Sequence, residues 1–254
     1  MHHRYETEVE ALREFFAENP ASALGLSGGS DSAFLLHFAI SNGAHIRAYN
    51  VRTVFQPGDD AERAASREAA DLQTIDLDIM RVSRITDNPP DRCYHCKMEM
   101  FSAIVERAAT DGLTVVIDGT NASDDPGNRP GMRALEDLGV RSPLRECGLT
   151  KDAVRELSRD AGLPTWDKPS FSCLATRIPV GTRITEEGLR RTAAVEDAPR
   201  GTGFSDVRVT SRDGCALNRI PPAQMADAVM RKDAITACPK KDYGGAALDP
   251  ERRE

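Results

Sequence analysis

A doubly wound parallel α/β sheet followed by a smaller α+β domain is the fold this sequence predicts, and three observations predict it. Short apolar runs alternate with helix-compatible patterns through the first two-thirds of the chain. A stretch dense in Pro, Gly, Ser and Thr, residues 163–185, then breaks the alternation. The length, 254 residues, suffices for one large domain with a smaller appendage.

Taken in order, residues 22–26, 45–51, 73–80 and 114–118 read as buried strands. Residues 31–41, 59–71 and 94–109 between them carry helix-compatible patterns. Parallel strands need long crossovers, and helical crossovers cover both faces of the sheet. Two more helices are expected at 132–138 and 151–161, the second capped by Thr150, whose hydroxyl can accept from a free first-turn N–H. Residues 163–185 hold the only tryptophan, Trp166, and read as a linker or a functional loop. A helix at 186–196, a strand at 206–210 and a helix near 224–230 follow. The boundary falls near residue 168, giving a sheet domain over 1–168 and a smaller C-terminal domain over 169–254.

Composition narrows the function classes. With 40% apolar and 29% charged residues the chain is that of a soluble globular protein. No run approaches the roughly 20 apolar residues that span a bilayer. The start, MHHRYETEVEAL, lacks the apolar core of a secretion signal, so the cytoplasm is the expected compartment. A net charge of -7 argues against a surface built to hold nucleic-acid backbone, while leaving room for a local basic pocket.

The strongest local signal is Ser27-Gly28-Gly29-Ser30-Asp31-Ser32, between an apolar strand and the helix AFLLHFA. Glycines let backbone approach an anion, and the helix start offers free N–H donors at the positive end of its dipole. Ser27 and Ser32 add hydroxyls. The loop has no lysine and differs in spacing from GxxxxGK[ST]. It resembles instead the SGGxDS loop of the PP-loop ATP pyrophosphatases, which cut ATP between the α and β phosphates and leave an adenylated intermediate. That chemistry suits a carboxylate or amide, whose oxygen leaves poorly until AMP is attached. Mg²⁺ is expected beside the departing pyrophosphate.

Six cysteines are present, and a disulfide framework is not expected in a cytosolic chain of this size. Cys93 and Cys96 form a C-x-x-C pair in NPPDRCYHCK, close to a helix start that favours thiolate. A zinc site, a redox dithiol and an iron–sulfur site held by three cysteines all fit this pair. Cys173, flanked by Ser172, Thr176 and Arg177, lies after the sheet domain in a loop suited to a ligand-binding edge or to simple packing. Cys147, Cys215 and Cys238 read as packing residues.

Those blocks together resemble the LarE family, ATP-dependent sulfur transferases that build the nickel-pincer nucleotide. The likeness runs through SGGSDS at 27–32, NPPDRCYHCK at 88–97, DGTNASDDPGNRPG at 118–131, RALEDLGVRSPL at 133–144, GLTK at 148–151 and WDKPSFSCLATRIPVGTRIT at 166–185. The resemblance implies pyridinium-3,5-biscarboxylic acid mononucleotide as substrate, with its carboxylates becoming thiocarboxylates. It implies that Ser27, Gly28, Gly29, Asp31 and Ser32 hold ATP with Mg²⁺, and that Cys173 is the sulfur-donor position. One branch of the family gives up the sulfur of that cysteine. Another holds a [4Fe–4S] cluster on three cysteines, and Cys93, Cys96 and Cys173 supply all three, so this branch is expected here. Arg177 and Arg208 are candidates for the substrate's anionic groups. A homo-oligomer is expected, and the sulfide source is left open. The likeness weakens after about residue 205: Arg208-Val209-Thr210 stands where the family has R-V-R. The competing readings are a tRNA-thiolating PP-loop enzyme, an ammonia-using PP-loop synthetase and a nucleotide-binding sensor.

Overall fold

The computed structural model describes residues 4–249 apart from 57, 126, 128, 170–171, 202, 205–206, 213 and 237–242. The side chains of 198–200, 211–212 and 234 are likewise outside the description. The chain divides into two compact units. The first comprises Met1–Thr53, Pro57–Ile79 and Asp91–Phe171; the second comprises Val54–Gln56, Met80–Pro90 and Ser172–Glu254.

The first unit runs α1 (Glu6–Glu18), β1 (Ala21–Gly25), α2 (Ser30–Ser41), β2 (His45–Arg52), α3 (Asp60–Arg67) and β3 (Asp71–Asp76). The short helix α4 (Ser83–Thr86) belongs to the second unit, and the first resumes with α5 (Arg92–Thr110). It is completed by β4 (Val116–Ile117), α6 (Pro130–Asp137), α7 (Pro143–Glu146) and α8 (Lys151–Asp160). The sheet order is β3-β2-β1-β4, and every pairing is parallel, as the alternation predicts. Strand residues alternate between two cores. Leu24, Ile46 and Ala48 join Leu12, Phe34, Leu35 and Ala65 on the face covered by α1, α2 and α3. Ala23, Tyr49 and Val51 join Phe101, Ile104 and Leu135 on the face covered by α5 and α6. Each large side chain so buried stabilises the fold by about 1.5–3 kcal/mol. The chain winds outward from β1 to β3 and then returns to place β4 on the other side of β1, so the strand order reverses between β1 and β4. Open α/β sheets bind ligands at such a switch point, outside the carboxyl ends of the strands.

Several element bounds differ from expectation for local reasons. Helix α3 stops at Arg67 rather than near 71, because Ala69 turns left-handed (φ 49°) and Asp71 already pairs with Arg47 in the sheet. Strand β3 therefore starts earlier than predicted and gives way to a 3-10 turn at Ile79–Arg81. Helix α1, not among the expected elements, buries Leu12, Phe15 and Phe16 at helical spacing. Thr150 caps α8 as predicted, its hydroxyl accepting from the Ala153 N–H at 3.3 Å.

The second unit carries a 3-10 turn at Leu174–Arg177, α9 (Glu186–Gly201), β5 (Arg208–Arg212), β6 (Cys215–Arg219), α10 (Pro222–Met230), α11 (Lys232–Ile235) and β7 (Gly245–Asp249). Its sheet order is β5-β6-β7, antiparallel then parallel. Strands β6 and β7 are not among the predicted elements. Val195, Val209, Ala216 and Tyr243 form one small core, and Phe204, Val207, Ile220, Ala228 and Ile235 another. No helix among the described residues is long and apolar enough to cross a membrane.

Tyr49 is fully buried in the first sheet, and its hydroxyl donates to Asp111 Oδ2 at 2.7 Å. Burial first, and then the Asp111 carboxylate, push its pKa up to about 12. The folded chain thus keeps the proton that the unfolded chain releases near its ordinary value of about 10. The stabilisation is complete below that value and is lost as pH rises through about 12. Tyr49→Phe is expected to lower stability by about 1 kcal/mol at neutral pH. In urea unfolding, the gap between wild type and variant should narrow at strongly alkaline pH.

Candidate active site

Strand β1 ends at Gly25, and Leu26 still donates its N–H to the Tyr49 carbonyl at 2.8 Å before the chain turns into the glycine loop. Gly28 takes the left-handed conformation (φ 71°), and a Cβ there would collide with the Asp60 and Ala61 backbone at the start of α3. A second close approach comes from the strand at the switch point: a Cβ on Gly119 would lie 2.8 Å from the Ser32 nitrogen. Both positions need glycine for space, and Gly28 needs it for conformation as well.

Helix α2 begins with Gly29 as N-cap and no side-chain cap, so its first-turn N–H groups are available to an anion. Within the loop, Ser27 and Ser32 share a hydroxyl hydrogen bond of 3.1 Å, the Gly29 N–H donates to Ser27 Oγ at 3.3 Å, and the Ser32 hydroxyl donates to the Gly29 carbonyl at 3.3 Å. Asp31 accepts from Lys151 Nζ on Oδ2 at 2.7 Å, while its Oδ1 is buried with no hydrogen-bond partner. Burial pushes the Asp31 carboxyl up, and the hydrogen bond and charge of Lys151 pull against it. A buried carboxylate oxygen without a partner, inside a ring of hydroxyls and free N–H groups, fits a polyphosphate accompanied by a divalent cation.

Two lysines complete the loop. Lys151, at the start of α8, donates from Nζ to Ser30 Oγ at 2.6 Å and to Asp31. Lys168 donates to the Gly28 carbonyl at 3.1 Å and pairs with Asp60 at 2.7 Å. The sequence gives neither a role, since both lie more than a hundred residues from the loop they serve. The GLTK and WDK blocks were the available signal. Asp118, after β4, is a buried anchor: it accepts from the Thr120 N–H, the Thr120 hydroxyl and the Ser142 hydroxyl. Lys97 Nζ lies 3.5 Å from its Oδ2. These bonds fix the shape of the DGTN turn, whose Gly119 lies close to Ser32.

Cys93 and Cys96 fall in the first turn of α5, three residues apart and therefore on one face. Cys93 is exposed and Cys96 partly buried, and neither is in a disulfide. The Arg92 guanidinium lies 3.7 Å from the Cys93 sulfur. Cys173, also a thiol and partly buried, belongs to the second unit as N-cap of the Leu174–Arg177 turn. Among the described residues no group of three or more His, Cys, Asp or Glu side chains is gathered as a metal site. As chemistry, three thiols outside any disulfide are a donor set suited to an iron–sulfur cluster. Cys147 packs against the apolar core, and burial, then Glu146, push its thiol up to about 11. Cys215 is exposed on β6, and Cys238 lies outside the described residues.

Arg177 departs from the role the sequence suggested. It is buried, and its nitrogens are engaged within the second unit: Nε on Glu196 Oε1 at 2.6 Å, one terminal nitrogen on Glu196 Oε2 at 3.3 Å, the other on Ser172 and Thr176. It also donates to the Cys173 carbonyl at 3.4 Å. Glu196, fully buried, accepts in addition from the Val209 N–H at 2.9 Å. The pair thus organises the backbone around Cys173. A second organiser is Asn88, buried and left-handed (φ 57°). Its amide donates to the carbonyls of Ile178 and Pro179, and its own carbonyl accepts from Gly181. Arg208 lies on β5 opposite Arg219.

No protein-family model matches the chain. It is 35% identical over 224 residues to an uncharacterized protein of Synechocystis, covering 87% of this chain and 84% of that one. It is 30% identical over 217 residues to the pyridinium-3,5-bisthiocarboxylic acid mononucleotide synthase of Lactiplantibacillus plantarum, covering 84% and 79%. An uncharacterized protein of Methanocaldococcus jannaschii is 27% identical over 233 residues, covering 92% and 89%.

Breaking the Arg177–Glu196 pair from one side leaves a buried charge without its partner. Arg177→Met is expected to cost about 3–5 kcal/mol, and Arg177→Met combined with Glu196→Leu to recover part of that loss. Urea unfolding followed by circular dichroism measures both, and an unchanged midpoint in the single variant would rule the pair out as organiser.

Proposed function

Because this chain belongs to the LarE family, with the Lactiplantibacillus plantarum synthase among its relatives, we propose that it is an ATP-dependent sulfur transferase acting on a carboxylated pyridinium mononucleotide. The observation that carries the reading is the loop at the switch point, with its uncapped helix start and the orphaned Oδ1 of Asp31.

In this reading Ser27, Gly28, Gly29, Asp31 and Ser32 bind the ATP phosphates with Mg²⁺. The first N–H groups of α2 stabilise charge on the departing pyrophosphate, in an orientation fixed before reaction. A carboxylate oxygen of pyridinium-3,5-biscarboxylic acid mononucleotide attacks the α-phosphate. The α–β phosphoanhydride bond breaks, and an acyl-adenylate and pyrophosphate result. A sulfur nucleophile then adds to the acyl carbon, AMP leaves with the carbon–oxygen bonding pair, and a thiocarboxylate remains. Cys173 is the sulfur-donor position. With Cys93 and Cys96 it would hold a [4Fe–4S] cluster, which supplies labile sulfide when bound. Positioning donor and adenylate together lowers the barrier, by up to about 7–11 kcal/mol in well-oriented systems.

Residues 1–168 carry adenylation in this proposal, and 169–254 form the smaller domain that faces substrate and assembles the homo-oligomer. Arg208 is the candidate for the substrate's anionic groups, while Arg177 serves the Cys173 backbone. The absence of a strongly basic composition weighs against the tRNA-thiolating alternative. An ammonia-using synthetase would leave the cysteine pair without a task.

Anaerobic purification with iron and labile-sulfide analysis tests the cluster. About four irons per chain are expected. Cys93→Ser, Cys96→Ser and Cys173→Ser should each lose them. Stoichiometric pyrophosphate release with the dicarboxylate nucleotide tests adenylation separately. Cluster-free protein that converts Cys173 to dehydroalanine would place the chain in the single-use branch instead.

A further inference from the structure

The phosphate loop lacks a lysine of its own, yet two of the six lysines in the chain stand against it. They are not equivalent. Lys151 is enclosed between Ser30 and Asp31, where its hydrogen bond and charge oppose the upward push of burial on the Asp31 carboxyl. Moving it would strand Asp31, so its task is to hold the helix start together.

Lys168 is placed differently. Its main chain is anchored, with its carbonyl accepting from Arg155 at 3.3 Å and its N–H donating to the Thr165 carbonyl at 3.2 Å. Its ammonium lies on the Gly28 carbonyl, at the mouth of the loop, and pairs with Asp60. Asp60 does not depend on it, since Arg63 also donates to Asp60 Oδ1 at 2.9 Å. Burial pushes the Asp60 carboxyl up, but hydrogen bonds from Lys168 and Arg63 outweigh it and hold the group ionised. A flexible four-carbon stem on a fixed backbone can therefore move its charge by a few ångströms, leaving Asp60 with Arg63.

We propose that Lys168 is a polyphosphate ligand whose ammonium transfers from Asp60 and the Gly28 carbonyl to the pyrophosphate portion of bound ATP. It supplies from a distant segment the point charge that other phosphate loops carry internally. The proposal rests on the nucleotide reading of the loop and adds to it the residue that recognises the leaving group. AMP, which lacks that portion, does not use Lys168.

Isothermal titration of the full-length protein with MgATP, inorganic pyrophosphate and AMP tests this. A lost charge-assisted contact predicts that Lys168→Met weakens ATP and pyrophosphate binding by about 10-fold or more, with AMP changed less than about twofold. Lys168→Arg should retain most of the affinity, while Lys168→Met should lose part of the salt dependence of ATP binding. Lys168→Met that binds ATP and pyrophosphate like wild type would overturn the proposal, as would equal weakening of AMP. Lys168→Gln serves the same comparison if melting shows that the methionine variant folds poorly. Wild type that binds none of the three ligands would instead sink the nucleotide reading itself.

Discussion

Everything at the switch point depends on one constraint: the start of α2 must stay uncapped and open to an anion while neighbouring segments close on it from other sides. A helix N-terminus with free N–H groups is costly to bury unless an anion or solvent reaches it. The chain meets this by bringing backbone rather than side chains close. Gly28 lets the start of α3 abut the loop, and Gly119 lets the DGTN turn lie against Ser32. Any Cβ at either place would push those segments outward and open the loop. The ring is then tied by Lys151 to Asp31 and by Asp118 to Thr120 and Ser142. The apolar body of α2, with Phe34, Leu35 and Leu36 buried, fixes the helix axis so that its polar first turn cannot retreat from the opening.

The parts of this arrangement that were legible in the sequence are those encoded locally. Strand–loop–helix at 21–41 could be read because periodicity, glycines and serines all lie within one window. The parallel sheet could be read because four apolar runs alternate with helices of crossover length. Lys151 and Lys168 could not, since a lysine's partner is set by where the chain returns, and here it returns 120 and 140 residues later. Arg177 is the converse case. An arginine beside a candidate sulfur-donor cysteine suggests an anion contact, but the buried glutamate its fork meets comes from α9, which no local pattern near 177 reports. Strand β6 escaped because polar Asn218 and Arg219 break its apolar pattern, and β7 because its sequence, Gly-Ala-Ala-Leu-Asp, carries one large apolar side chain.

The Arg177–Glu196 pair repays closer argument, because an ion pair at this depth is not an economical source of stability. Desolvating two charges costs several kcal/mol each, and an apolar pair of similar volume is often as stable. What the pair does that apolar residues could not is satisfy backbone. The same guanidinium reaches the carbonyls of Ser172 and Cys173, and the same carboxylate accepts from Val209 on β5. Residues 172–184 contain no strand and only one short 3-10 turn, so few of their carbonyls find partners in regular structure. Asn88 meets the same need farther along, donating to Ile178 and Pro179 from a left-handed backbone that asparagine tolerates better than most residues. Cys147, partly buried, is held differently: it packs against the apolar core, and burial, then Glu146, push its thiol up to about 11. The backbone around Cys173 is held instead through carbonyls, by one arginine and one asparagine.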